Sequence, residues 1–247
     1  MTIWLASGNE HKKAELAAIF KDIPAEREAP GAGLPRRHGG EGIRIRIPSD
    51  AGIAFCPEED AGTFAGNALL KARALFGIVR EPVIADDSGL CVDALEGRPG
   101  IYSARYTGRR AEGIQAEGAE NQGGAENSGG KKLGAAERNV LLLEELKDAQ
   151  KRSARFICAM AVVYGEERFF TVQESLEGEI ISGREAAGTG GFGYDPIFLL
   201  PEKGRTLAEL SAEEKNEVSH RGKAGRIAAA MICRVMREAG LYQFPGI

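Results

Sequence analysis

The sequence predicts a mixed α/β fold with one core and a sheet of mixed strand direction. Three observations carry this expectation. The chain opens with an apolar strand, a glycine turn and an amphipathic helix, the usual start of an α/β unit. Short apolar runs then alternate with stretches of helical periodicity. Two strand-like runs flank Gly165-Glu166-Glu167, which calls for an antiparallel pair. The 247 residues, 43% of them hydrophobic, suit one α/β domain, or two small ones, with a sizeable core.

Taken in order, residues 2–7 form the first strand and Gly8-Asn9 the turn. Residues 10–21 follow as a helix with Ala14, Leu16, Ala17, Ile19 and Phe20 on its apolar face. Residues 30–42, rich in Gly, Pro and Arg, read as a long loop or arm. Arg44-Ile45-Arg46-Ile47 alternates as a strand, with its arginines toward solvent. Thr63 stands as N-cap of a helix through Asn67, Leu70, Ala74 and Phe76. Residues 82–85 make the next strand, ended by Asp86-Asp87 and a Ser88-Gly89 turn. Pro99-Gly100-Ile101-Tyr102 turns into Ser103-Ala104-Arg105-Tyr106.

Residues 109–134 are Gly-, Glu- and Asn-rich, with too few apolar side chains to offset the ordering entropy, and read as a surface insertion. Residues 135–147 form an amphipathic helix around Val140, Leu141, Leu143 and Leu146. Residues 154–164 and 168–174 make the antiparallel pair, and 179–181 continue the sheet. Ser219 caps a C-terminal helix running to about residue 239. Its charged face carries Arg221, Lys223 and Arg226, and its apolar face Ile227, Ala230, Met231 and Val235.

A net charge of −4 gives no general attraction for nucleic acid or an anionic membrane, so an anionic ligand needs a local basic cluster. Cys56, Cys91, Cys158 and Cys233 are too far apart for a CxxC site and read as buried, reduced thiols of a cytosolic protein. No basic leader precedes the apolar residues 3–6, and no apolar run approaches a membrane span. Neither HExxH nor a Walker A motif occurs.

The chemistry-bearing residues point to phosphate and a divalent cation. Adjacent acids after a buried strand, as at Asp86-Asp87, repel each other and are costly to desolvate unless a cation or a required proton acceptor lies between them. One can hold Mg²⁺ while the other orients or deprotonates water; the plainer alternative is an Asx turn. Ser7-Gly8-Asn9-Glu10-His11-Lys12 joins a strand end to a helix N-terminus, whose N–H groups suit phosphate, unless it is an ordinary turn with solvated lysines. Glu58-Glu59-Asp60 offers a metal carboxylate or simply a charged loop.

Gly188, Gly190 and Gly193 match G-x-G-x-x-G formally, but Pro196 follows at once and no helix opens, so a dinucleotide site is excluded. Phe192, Gly193, Tyr194 and Asp195 could instead stack on a base and read its edge, or form a tight turn with core aromatics. His220 and Arg221 occupy a helix first turn, where basic residues run against the helix dipole; a nearby anion would explain them, with Lys215 adding charge.

These segments, in this order, resemble the inosine triphosphate pyrophosphatase family. The shared motifs are Ala85-Asp86-Asp87-Ser88-Gly89-Leu90, then Gly97 and Pro99-Gly100-Ile101-Tyr102-Ser103-Ala104-Arg105-Tyr106. Residues 188–198, Glu214-Lys215-Asn216 and Ser219-His220-Arg221 complete them. The likeness covers nearly the whole chain, apart from inserts near residues 30–55 and 109–134. It implies an elongated, two-lobed mixed-sheet fold with the substrate cleft between lobes. It also implies a homodimer and Mg²⁺-dependent hydrolysis of ITP, dITP and XTP to monophosphate and pyrophosphate. By position it makes Asp87 proton acceptor and metal ligand, Asp86 its supporting acid, and Glu59 a metal ligand with Glu58 as register alternative. Ser7, Gly8, Asn9, Glu10, His11, Lys12 and Lys71 become phosphate contacts. Ser88, Phe192, Gly193, Tyr194, Asp195, Lys215, His220 and Arg221 become substrate contacts, the last group near the purine. Two departures stand out: Ser7 where the family commonly has Thr, and Gly66 where it commonly has Glu. A nucleotide-binding sensor and a Maf-like pyrophosphatase are the competing readings.

Overall fold

Strand β1 (Thr2–Leu5) opens the chain and helix α1 (Glu10–Lys21) follows it, as the periodicity requires. The computed structural model describes residues 1–21, 43–108, 133–183, 192–238 and 240. Next come β2 (Arg44–Arg46), α2 (Phe64–Val79) and β3 (Val83–Val92). Helix α3 (Ala135–Glu145) leads to the long strands β4 (Ser153–Gly165) and β5 (Arg168–Ile180). Short strands β6 (Phe198–Leu200) and β7 (Arg205–Thr206) precede α4 (Ala212–Val218) and α5 (His220–Glu238).

The described strands form a seven-stranded sheet in the order β2-β1-β3-β4-β5-β6-β7. Strand β1 pairs in parallel with β2 and β3, whereas β6 pairs antiparallel with β5 and β7. Only Glu166 and Glu167 join β4 to its neighbour β5, a connection short enough to require an antiparallel hairpin. The expected sheet of mixed direction is therefore present.

Two expectations about the middle of the chain change. Residues 43–55 are ordered rather than a flexible stretch: β2 belongs to the sheet, Ile45 and Ile47 are buried, and Arg46 lies over the Trp4 ring at 4.3 Å rather than pointing freely to solvent. The loop at 30–42 and residues 109–132 of the second insert lie outside the described residues. Strand β3 does not stop at Ala85. It runs on through Asp86, Asp87, Ser88 and Gly89 to Val92, so no Ser-Gly turn follows the acids.

The chain divides into two compact units, each assembled from discontinuous stretches. The first comprises Met1–Ser88, Ile157–Leu176 and Ala212–Ile247. Its strands separate two cores. Ile3, Leu5, Ile84, Met160 and Val162 pack with Leu16, Ile19 and Phe20 of α1 and with Ala224, Ala228 and Ile232 of α5. Trp4, Val83, Ala85, Ala161 and Val163 pack with Ala68, Ala72 and Leu75 of α2. Neighbouring strand residues fall in opposite clusters because side chains alternate across a pleated sheet.

The apolar face expected on α5 holds at Met231 and Val235, which pack against the first core, but is shifted elsewhere. Ile227 and Ala230 are exposed, while Ala224, Gly225, Ala228 and Ile232 are buried. Both stripes satisfy helical spacing, but close approach of two helices selects the smaller residues: a Cβ on Gly225 would sit 3.2 Å from two Ile19 carbons. On α1, Ala14 and Ala17 are likewise exposed.

The second unit comprises Gly89–Phe156 and Glu177–Ser211. Phe156 and Phe198 meet in its interior as a tilted pair with ring centroids 4.7 Å apart. Gly178 has no room for a side chain, since a Cβ would lie 2.5 Å from the Phe198 ring and the Leu199 carbonyl oxygen. Helix α3 buries Arg138, Asn139, Leu142 and Leu143, with Leu146 beyond its end; Val140 is exposed, contrary to the face read from sequence.

Candidate functional site

The pleat of β3 decides what the acidic pair can do. Asp86 shares a strand face with Ile84, toward α1 and α5; Asp87 shares the other with Val83 and Ala85, toward α2. Both carboxylates are almost fully buried. They therefore make different direct contacts, although the charges of Lys12 and Lys71 act on both. Each has partners of its own.

On the first face, Lys12 Nζ lies 2.9 Å from Asp86 Oδ1, and Arg221 Nε and Nη2 donate to Asp86 Oδ2, each at 3.3 Å. Arg221 also donates to Ser88 Oγ at 2.9 Å and to Glu15 Oε2 at 2.6 Å, while Lys215 Nζ lies 3.7 Å from Glu15 Oε1. Three cations thus face two carboxylates. Burial by itself would raise the Asp86 pKa, but Lys12, Arg221 and Lys71 more than offset it and hold the carboxyl well below its usual range. The anion that explains basic residues at the start of α5 is internal.

Ser219 Oγ accepts the Gly222 N–H at 3.0 Å, the expected N-cap. Gly222 is obligatory there, because a side chain would run into the Asn216 carbonyl. Burial, then Arg221 and Lys215, push the His220 pKa well down, so the ring is neutral.

The turn after β1 also differs in detail. Asn9 Oδ1 accepts the N–H groups of His11 and Lys12 at 2.9 and 3.3 Å, and Ser7 Oγ accepts that of Asn9 at 3.1 Å. The α1 N-terminus is thus capped by its own chain, and these amides are not free for phosphate. Glu10 and His11 are exposed, as is Gly8.

On the second face, α2 presents a buried stripe of Phe64, Asn67, Ala68, Lys71, Ala72 and Leu75. Thr63 caps it, accepting the Gly66 N–H at 3.0 Å. Asn67 Nδ2 donates to Asp87 Oδ2 at 3.0 Å, and the Ser88 N–H donates to Asp87 Oδ1 at 3.0 Å. Lys71 Nζ, one turn after Asn67, lies 3.2 Å from Glu59 Oε2 and 3.9 Å from Asp87 Oδ1. Glu59, not the exposed Glu58 or Asp60, is the acid turned to this cluster. Burial raises the Asp87 pKa, and Lys71 and Asn67 offset only part of that. Gly66 leaves no third carboxylate on this helix turn, and a Cβ there would sit 2.8 Å from Ala61 Cβ and 2.9 Å from Thr63 Oγ1.

Among the described residues, no three His, Cys, Asp or Glu side chains cluster as metal ligands. Glu59 and Asp87, converging on one buried ammonium, form a hard-oxygen pair beside a buried Asn67 Oδ1 that has no hydrogen-bond partner. That set fits Mg²⁺, which usually takes one or two carboxylates and completes its shell with phosphate oxygens and water.

The remaining sequence candidates lie in the second unit. Phe192 is 60% exposed, whereas Tyr194 is buried and its hydroxyl donates to the Ser103 carbonyl at 3.0 Å. Asp195 accepts the Phe192 N–H at 2.6 Å, and Gly193 sits at φ +65°, a left-handed conformation that favours glycine. Asn139 Nδ2 donates to the Gly193 carbonyl at 3.1 Å. A 3-10 turn and strand β6 follow, so no helix opens after the glycines.

Sequence reading missed Asn67 and Glu15. A polar residue on the core-facing stripe of α2 was a usable signal for Asn67. Nothing local marks Glu15. Of the four cysteines, Cys91 and Cys158 are buried, Cys158 with its thiol pKa pushed up to about 12 by burial, but Cys56 is exposed and Cys233 only half-buried. No described helix is long and apolar enough to cross a membrane.

A family model described as the Ham1 family matches residues 3–231. A dITP/XTP pyrophosphatase of Treponema denticola is 43% identical over 224 residues, covering 91% of this chain and 94% of the relative. One from Geobacillus kaustophilus is 40% identical over 225 residues, covering 90% and 89%. The solved structure of a HAM1 protein from Coxiella burnetii is similar with a TM-score of 0.71 at 33% identity, covering 95% of this chain and 99% of that one. The Staphylococcus aureus Ham1 protein gives 0.70 at 31% identity, covering 94% and 98%. With a match that runs from β1 into α5 and relatives alike across most of their length, the chain belongs to the Ham1 family.

Proposed function

We propose that this protein hydrolyses ITP, dITP and XTP to the monophosphate and pyrophosphate with Mg²⁺ as cofactor. The observation that carries the reading is the Glu59–Lys71–Asp87 cluster: a half-buried and a buried carboxylate turned to one buried cation, with Asp87 further held by Asn67. The substrate class rests on the relatives named dITP/XTP pyrophosphatase.

In this reading Asp87 is the base. Its raised pKa makes it a stronger proton acceptor than an ordinary carboxylate. It takes a proton from water as the water oxygen bonds to the α-phosphorus, while the bond from that phosphorus to the α,β-bridging oxygen breaks and pyrophosphate leaves. Mg²⁺, held by Glu59 and Asp87, would supply charge neutralisation for the phosphate oxygens. Lys71, beside both acids, would offer its ammonium to the phosphate oxygens of the same substrate. Lys12 and Arg221, already bound to Asp86 and mostly buried, contribute a preset cationic cluster with one net positive charge when Lys215 and Glu15 are counted. A cytosolic homodimer belongs to the same reading, with the exposed Tyr102, Val140 and Phe192 available for a subunit contact.

The test is incubation with ITP, XTP or ATP and Mg²⁺, with products identified by ³¹P NMR. Pyrophosphate from ITP and XTP, little from ATP, and its loss in Asp87→Asn are expected. Orthophosphate as the first product would refute the reading. Tight ITP binding without any product would favour the sensor, which the missing carboxylate at Gly66 keeps in contention.

A further inference from the structure

Asn67 is fully buried on the core stripe of α2, where every other residue except Lys71 is apolar. Its Nδ2 donates to Asp87 Oδ2, yet its own Oδ1 is buried without a hydrogen-bond partner. A buried acceptor left unpaired is costly and calls for an explanation. Turning the amide over would not relieve it. Oδ1 would then face the Asp87 carboxylate, acceptor against acceptor, and the N–H₂ group would inherit the unpaired position. Asp87 therefore dictates the amide's orientation, and the unpaired oxygen is the consequence of keeping that one bond. A leucine would fill the site without it.

The other Asp87 oxygen accepts the Ser88 N–H and faces Lys71. Both carboxylate oxygens are thus pinned, and a carboxylate oxygen has lone pairs for more than one partner.

We propose that Asn67 is a positioning residue of the hydrolytic centre: it sets the plane of the Asp87 carboxylate so that its remaining lone pairs meet metal and water. This rests on the reading of Asp87 as base and metal ligand. Residues that orient a ligand from behind typically matter about 10–100-fold in metal affinity or activity when removed.

The test is Asn67→Leu, close in size but without the donor. With ITP and saturating Mg²⁺, kcat is expected to fall about 30-fold while KM changes little and the melting temperature stays near wild type. Mn²⁺ affinity of the nucleotide-free protein, read by EPR, should weaken about tenfold, and the same substitution made in Asp87→Asn should add nothing further. Wild-type kcat, or an equal Mn²⁺ loss in both backgrounds, would overturn the proposal. Should Asn67→Leu fold poorly, Asn67→Asp keeps the size and replaces donor by acceptor; it must lose as much turnover, and wild-type turnover overturns the proposal. Asp87→Asn alone separates the two readings. If it leaves Mn²⁺ affinity intact, the metal role of Asp87 fails and the positioning role with it. If it abolishes Mn²⁺ binding while Asn67→Leu is silent, only the role of Asn67 fails.

Discussion

Asp86→Asn is expected to destabilise this protein severely and with a specific pH signature. The Asp86 side chain has no exposed surface, and it compensates Lys12 at 2.9 Å and Arg221 at 3.3 Å, whose side chains are 18% and 13% exposed. The amide keeps the shape but leaves two mostly buried cations short of an anion. Breaking a buried ion pair from one side costs about 3–5 kcal/mol. Arg221 keeps Glu15 and Ser88, which favours the lower part of that range. For a chain of this size, melting falls about 2–4 °C per kcal/mol, so a drop of roughly 6–16 °C is expected. The sign of the pH dependence follows from the depressed Asp86 pKa. Its contribution is fully present above the unfolded value of about 3.9 and is lost as pH falls below that toward the folded value. Urea denaturation of the metal-free protein, followed by fluorescence of Trp4, the single tryptophan and a core residue, measures both effects. A difference from wild type under about 1 kcal/mol at neutral pH, or one that does not shrink in acid, would refute the ion-pair account.

Three further outcomes are expected. Asp87 has the opposite sign: its folded pKa is raised, so its favourable contribution exists only below the unfolded pKa and is lost as pH rises through the folded one. Wild-type stability should therefore lose the Asp87 contribution as pH rises through that folded value, a loss absent from Asp87→Asn, whose turnover is abolished, measured by urea denaturation across pH and by pyrophosphate release. Lys71 competes with any metal for Glu59 and Asp87, so Lys71→Met should tighten Mn²⁺ binding to the nucleotide-free protein about tenfold by titration calorimetry, or about 1.4 kcal/mol; unchanged or weaker binding counts against that competition. His220 should stay neutral through its ordinary titration range, its ring proton shifts flat there by NMR, and a midpoint near its ordinary value would contradict its burial beside Arg221 and Lys215.

Local signals were enough for much of this fold. The α1 helix, the Thr63 and Ser219 caps and the antiparallel hairpin each depend on residues within a few positions of one another, so neighbours in sequence sufficed. The motif-bearing residues Lys12, Glu59, Asp86, Asp87 and Arg221 were legible as chemistry for the same reason, and Lys71 only through the family resemblance. Which of them meet was decided by tertiary structure. Whether β3 stops at Ala85 or continues depends on the backbone partners of a strand, and its continuation sends Asp86 and Asp87 to opposite faces. Helical periodicity offered two acceptable stripes on α5, and only the close approach of α1 selected the one with glycine and alanine. Glu15 and Asn67 gain their roles from partners 206 and 20 residues away, a separation that no local pattern encodes. Composition and periodicity determined the parts; the pleat and the packing of helices on either side of it determined which charge answers which.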